Sequence, residues 1–298
     1  MTLTEDTSQQ TTRVYGAQSM IGALEWVLVH RPAEEYAQRA WREYGLAGEP
    51  DLAAAQRQHD AFVEILRNHG AEIAYLEEHT SVQTSAVFDP VLITDAGAVI
   101  LQSGRRERRV EALPMARCIT GLGIPIVGWV KDEGWIDAGD TLWLDERTLL
   151  VGFGYRTNDA GVRQLHHILD GIVPEVITFD NPHYRGAGHV LHLMSYVSLV
   201  SESVAVVHSS LMPVRLRNLL LERGYDLVEV PAEEFATEGC NVLALRPGVV
   251  VVVGGNPVTA ERLRERGIEV LAIDGDELCV KRVSGPTCNS RPLRRARV

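Results

Sequence analysis

Trp135 to Leu169, WIDAGDTLWLDERTLLVGFGYRTNDAGVRQLHHIL, reads as one complete structural module with polar residues gathered at its lip. Thr141 to Leu144 and Thr148 to Val151 are apolar, β-prone runs on either side of Asp145, Glu146 and Arg147, a composition that suits a hairpin turn. A helix follows. Asn158 or Asp159 can cap it, because a short polar side chain there accepts a hydrogen bond from the free N–H groups of the first turn. Val162, Leu165, Ile168 and Leu169 then recur on one helical face. After Gly171 a further strand runs from Glu175 to Phe179.

The same order of strand, turn, strand, helix, glycine and strand recurs along the chain. A second copy runs from Val91 through Asp95 to Gly97, Ala98 to Leu101 and a helix near Val110 to Gly121, to a strand within Gly123 to Val130. A third starts at Val197, turns at Ser201 to Ser203, continues through Val204 to Val207 and a helix near Pro213 to Arg223, and ends in Gly224 to Val230. A fourth comprises Asn241 to Leu245, Val249 to Val253, a helix from about Thr259 and Gly267 to Ile273. The fifth is split: Trp26 to Val29, the helix Leu52 to Asn68 and Gly70 to Leu76 lie at the start, and Leu278 to Val283 at the end is the candidate for its missing strand.

A repeat of this kind decides the fold, because units that cannot bury their apolar faces alone must stack on neighbours. The expected architecture is α/β: a pseudo-fivefold α/β propeller of ββαβ units, closed by a strand that ties the two termini together. A doubly wound sheet needs parallel crossovers throughout, which the hairpins argue against. Residues 1–13 read as a disordered tail and residues 14–298 as a single catalytic domain. Ala33 to Pro50, without clean periodicity, reads as helix or loop inserted after the first strand, with a lid as its role.

Composition narrows the function. Of 298 residues 45% are apolar, enough for a substantial core, and 29 basic against 40 acidic residues leave a net charge of −11, which argues against nucleic acid or an anionic membrane as partner. The basic stretch Arg291 to Arg297 reads as a solvated terminus. No apolar run reaches transmembrane length, and the opening MTLTEDTSQQTTR lacks a charged-then-apolar signal, so a cytoplasmic location is expected. Cys118, Cys240, Cys279 and Cys288 are widely spaced without a CxxC pair, which indicates neither a disulfide framework nor a structural zinc site.

Cys288 lies among small, turn-forming residues beyond the expected last strand, where an exposed sulfur near a positive group can serve as nucleophile, or can be a chance loop cysteine. The other three cysteines read as core. His189 and His192 sit in a β-prone segment and would point to opposite faces of a strand, a poor metal pair. His166 and His167 read as surface residues. Asp89, Asp137 and Asp140 begin modules, so fivefold stacking would set Asp89 and Asp137 at comparable points of one rim. Two carboxylates converging there suit a planar cation such as guanidinium. Arg108, Arg109 and Arg156, in loops between a second strand and its helix, can hold a carboxylate.

Taken together these residues resemble the guanidino-group-modifying enzymes, the pentein superfamily, and within it the dimethylarginine dimethylaminohydrolases. The resemblance rests on Phe88 to Val91, the paired Arg108 and Arg109 with Glu111, Asp137 to Asp140, Arg156 to Asn158, His192 to Ser195, Cys240 with Asn241, and Thr287 with Cys288. It implies Cys288 as nucleophile, His192 as general acid and base, Asp89 and Asp137 as guanidinium clamps, and Arg108 and Arg156 as ligands of a substrate carboxylate. No metal and no organic cofactor is implied. Phe88 and Gln83 stand where relatives carry acidic or polar residues, and Met194 replaces a polar residue two positions after the histidine. The expected activity is hydrolysis of arginine or N-methylated arginine through a cysteine thiouronium. The alternatives are an amidinotransferase and a propeller that binds a guanidino ligand without turnover. The expected partner is a small guanidino substrate; a homodimer is compatible with the sequence.

Overall fold

The computed structural model describes residues 14–38, 48–78, 85–189 and 191–298. The chain opens with β1 (Leu24–Val29), α1 (Glu34–Gln38), α2 (Leu52–Asn68) and β2 (Glu72–Tyr75). The next unit comprises β3 (Val91–Thr94), β4 (Gly97–Ile100), α3 (Ala112–Gly121) and β5 (Ile126–Trp129). Then come β6 (Thr141–Asp145), β7 (Thr148–Phe153), α4 (Asp159–Leu169) and β8 (Glu175–Asp180), followed by β9 (Val197–Leu199), β10 (Val204–Val207), α5 (Val214–Glu222) and β11 (Asp226–Glu229). A short α6 (Ala232–Phe235) leads to β12 (Leu243–Arg246), β13 (Val249–Val253), α7 (Pro257–Arg264) and β14 (Glu269–Ile273), and β15 (Arg291–Arg295) ends the series.

The strands make five three-stranded sheets, each with its middle strand antiparallel to one neighbour and parallel to the other. Hairpin and helical crossover thus alternate in four units, the two chain ends pair in place of the hairpin in the fifth, and the architecture is a pseudo-fivefold α/β propeller. Local chemistry sets the connections. Arg147 N donates to Asp145 Oδ1 across the β6–β7 turn at 2.8 Å. Asn158 caps α4 by accepting from Gly161 N at 2.8 Å, and the same oxygen accepts from Trp135 N at 3.0 Å, so the module's entry and its helix are pinned together. The middle strands β4, β7, β10 and β13 are buried almost throughout, which explains their largely apolar, valine- and leucine-rich sequences.

The split unit closes differently from expectation. Its missing strand is β15, which pairs antiparallel with β1 at Leu28↔Arg291 and Val27↔Pro292. Leu278 to Val283 is no strand: Cys279 N and Val280 N both donate to Gly275 O, Val280–Arg282 is a 3-10 turn, and Val283 is left-handed at φ 52°. Leu278 and Cys279 are apolar because they plug the core between β1 and β13. The basic stretch is likewise not a solvated terminus. Arg291 and Arg295 are 3% and 1% exposed, the Arg291 guanidinium lies 3.8 Å from the Phe88 ring centre, and Arg295 Nη1 donates to Gly22 O at 2.6 Å. Cys288 therefore precedes the last strand instead of following it.

Residues 1–13, Gln83 and half of the inserted segment, residues 39–47, lie outside the described residues; the described part of that segment includes α1. Among the described residues no helix is long and apolar enough to cross a membrane.

Candidate active site

Each of the five units contributes one polar side chain from the segment just before its first strand. Asp89 precedes β3, Asp137 precedes β6, His192 precedes β9, Asn241 precedes β12 and Cys288 precedes β15. All five line one cavity of about 350 Å³. Pseudo-symmetry alone brings them together, since equivalent positions of a ring face the same end of its axis.

Both acids are held by backbone amides of the neighbouring unit. Asp89 accepts from Gly139 N at 3.0 Å and from Arg108 Nη1 at 2.5 Å. Asp137 accepts from Gly104 N at 3.1 Å and faces His192 Nε2 across 3.1 Å. A carboxylate has about four acceptor sites, so each acid keeps capacity for further N–H donors. Gly139 lies so close that a Cβ there would sit 2.5 Å from His192 Nδ1. Gly104 is as confined, with Arg156 backbone atoms 2.7 Å from a Cβ.

Burial works against charge on both members of the His192–Asp137 pair, and their mutual contact overrides it. The hydrogen bond that His192 Nε2 donates to Asp137, with the nearby charges of Asp89 and Asp140, pushes the imidazole up to about 9. The same bond, with the charges of His192, Arg108 and Arg156, holds the Asp137 carboxyl well below the usual carboxylate range. The pair is ionic at neutral pH. Cys288 is opposite in character: burial, then Asp89 and Glu238, push its thiol up to about 11 against the hydrogen bond that Asn241 Nδ2 donates to Sγ at 3.2 Å.

The structure separates the remaining candidates. Arg108 is spent on Asp89 and on Glu111, whose oxygens it meets at 2.9 and 3.1 Å. Arg109 donates to Ser103 O and stacks on Trp135. Arg156 is 6% exposed, lines the cavity and makes no side-chain hydrogen bond among the described residues. Asp140 is a strut, taking Thr157 Oγ1 at 2.7 Å, Asn181 Nδ2 at 2.8 Å and Leu193 N at 2.9 Å, and burial pushes it up to about 6. His189, Leu191 and His192 are not in a strand: His192 caps the 3-10 turn Leu193–Ser195, its own N–H bonded to Ser195 Oγ, and both histidines line the cavity. Phe88 and Met194 supply apolar wall. Cys240 and Cys279 are buried as expected, whereas Cys118 is only partly so.

Asp89, Asp137 and His192 offer ligand atoms within 4.8 Å of one another, the only such trio among the described residues. With Arg108 directly against Asp89, the set suits a planar hydrogen-bonding cation better than a compact metal ion. Sequence reasoning quoted Asn241 without assigning it a place in the site and missed Glu238. Position before a first strand, applied to all five units, would have found Asn241.

An acid pair, an imidazole and a thiol around the axis of a fivefold propeller define the class of guanidino-group-modifying enzymes. The chain is 31% identical over 246 residues to N(G),N(G)-dimethylarginine dimethylaminohydrolase of Streptomyces coelicolor, across 82% of this chain and 88% of that one. It belongs to the dimethylarginine dimethylaminohydrolase family. The arginine deiminase family profile matches residues 212–295, and an arginine deiminase of Listeria welshimeri is 25% identical over 69% of this chain and 60% of its own. Among solved structures, a dimethylarginine dimethylaminohydrolase variant as its adduct with S-methyl-L-thiocitrulline superposes with a TM-score of 0.75 at 22% identity, over 90% of this chain and 99% of that one. An amidinotransferase of Microseira wollei gives 0.77 at 15%, over 96% and 98%. These structural likenesses carry the fold.

Proposed function

We infer that this protein hydrolyses a C–N bond of a guanidino compound, arginine or N-methylated arginine, to citrulline or another ureido product plus an amine or ammonia. The observation that supports this best is that Cys288, His192, Asp89 and Asp137, scattered over two hundred residues of sequence, line one cavity. The two carboxylates take the substrate N–H groups, and Arg156 takes its carboxylate, since Arg108 is already neutralised by Asp89 and Glu111. The arriving cation offsets the acids that hold the Cys288 thiol up, so the thiol loses its proton to solvent as substrate binds. The thiolate then attacks the guanidinium carbon, and His192, protonated at neutral pH, gives its proton to the departing amine. The thiouronium left on sulfur is hydrolysed when neutral His192 removes a proton from water. Oxygen bonds to carbon, thiolate leaves and the ureido product forms.

Phe88 and Met194 line the same cavity in place of polar residues, which favours N-methyl groups over bare N–H and points to methylated arginine as substrate. Gln83 is kept as a contact to the substrate amine. Residues 14–298 act as one catalytic domain, and the four free thiols fit a cytoplasmic location. The test is a panel of arginine, monomethyl- and dimethylarginine and decarboxylated analogues scored by mass spectrometry. Ureido product from the native protein and a loss of ~1000-fold or more in Cys288→Ser support the reading. Ornithine formed only with an added acceptor amine would replace hydrolysis by amidino transfer, and no product at all would leave a binding protein.

A further inference from the structure

The fivefold arrangement leaves Asn241 as the one contribution the proposed chemistry does not use. Its amide is fixed on every side. The oxygen accepts from Thr287 N at 3.1 Å and the nitrogen donates to Cys288 Sγ at 3.2 Å, while Glu238 lines the cavity beside them. Gly285 makes room for it, since a Cβ there would fall 2.1 Å from Asn241 Cγ. Glu238 is itself held in the left-handed region, at φ 66°, where a side chain other than glycine is strained.

That strain is imposed by a loop with several anchors. Buried Glu234 accepts from Val258 N and Thr259 N at 2.8 Å, which ties α6 to the first turn of α7. Gly239 N donates back to Glu234 O at 2.8 Å, and Asn256 Nδ2 donates to Thr237 O at 2.9 Å. Asn241 N donates to Glu238 O at 2.9 Å, so the two residues are joined through the main chain. A strained residue persists only where its surroundings over-determine it, and here they aim a carboxyl at the cavity beside the nucleophile.

Given the hydrolase reading, we propose that Asn241 and Glu238 are positioning residues for the nucleophile: Asn241 holds the Cys288 sulfur toward the cavity and stabilises its thiolate, while Glu238 anchors the Asn241 main chain and, once ionised, opposes ionisation of the thiol. Other charged or titratable groups around the same cavity are Asp89, Asp137, His192, Arg108, Arg156 and Arg282, and the Cys279 thiol also acts on the sulfur. Burial keeps the Glu238 carboxyl itself up at about 8, so it changes charge near neutral pH.

The measurement is the pH profile of Cys288 alkylation by iodoacetamide without substrate, read on the Cys288 peptide by mass spectrometry, beside kcat and KM for the guanidino substrate. Asn241→Ala removes the donor and is expected to raise the apparent thiol pKa by about one unit or more and lower kcat ~10- to 100-fold, with KM changed far less. Glu238→Gln keeps the main-chain anchor and removes the charge, so it shifts the profile the other way. Asn241→Asp, isosteric, supplies the same readout should the alanine variant not fold. Alkylation profiles that stay at the native position in all folded variants would overturn the proposal, because a merely structural role moves Tm alone. Shifted profiles in a protein that makes no ureido product would uphold the positioning role and discard the hydrolase reading.

Discussion

His192 and Asp137 stabilise each other's charged forms inside the protein, and that coupling ties stability to pH. The imidazole rises from 6.5 to about 9 on folding, so its contribution is whole below pH 6.5 and fades as pH climbs through 9. The Asp137 carboxyl falls below 3.8, so its contribution is present above that value and disappears as pH drops beneath it. Native protein should therefore exceed His192→Asn by about 2 kcal/mol between pH 4.5 and 6.5, with the margin shrinking toward pH 9, in urea melts followed across pH. Gly139→Ala drives a methyl into the imidazole; kcat/KM is expected to fall ~100-fold or more while circular dichroism keeps the native form. Whereas the roles of His192 and Cys288 came from the family resemblance, the acids were legible because Asp89 and Asp137 each begin a module. Glu238 was not, since only backbone torsion turns it inward, and torsion at a residue other than glycine leaves no mark in the letters.

Among elements, α4 shows how one side chain orders a module. Asn158 Oδ1 serves both the helix N-terminus and Trp135 N, and Nδ2 reaches Glu133 O at 2.8 Å. Asn158→Ala should cost about 1–2 kcal/mol by denaturant melting and raise KM through the adjoining Arg156 loop. Hairpins and helices were legible where apolar period and turn residues agreed. The pattern misled at Leu278 to Val283, where apolar residues fill a core gap from a 3-10 turn, and at β15, whose buried arginines mimic a solvated tail. Periodicity reports burial of apolar atoms and is silent when guanidinium groups are buried through ring stacking and carbonyl contacts.

For the whole molecule, the β1–β15 contact joins the ends of the ring, and Leu293 is fully buried there among side chains of β1, β3 and β4. Leu293→Ala should remove about 2–5 kcal/mol of global stability in equilibrium unfolding and raise hydrogen exchange along β1. The ring was legible from the order of elements, whereas the identity of its closing strand depended on a pairing between residues more than 260 positions apart, which no local pattern encodes. Cys288 stands immediately ahead of that strand, and this has a meaning for biosynthesis. Translation makes the acids, the imidazole and four complete sheets before the ribosome reaches the sulfur. A chain lacking that stretch would carry the acids and the imidazole but no sulfur to attack, so the same short stretch that seals the fold also arms it.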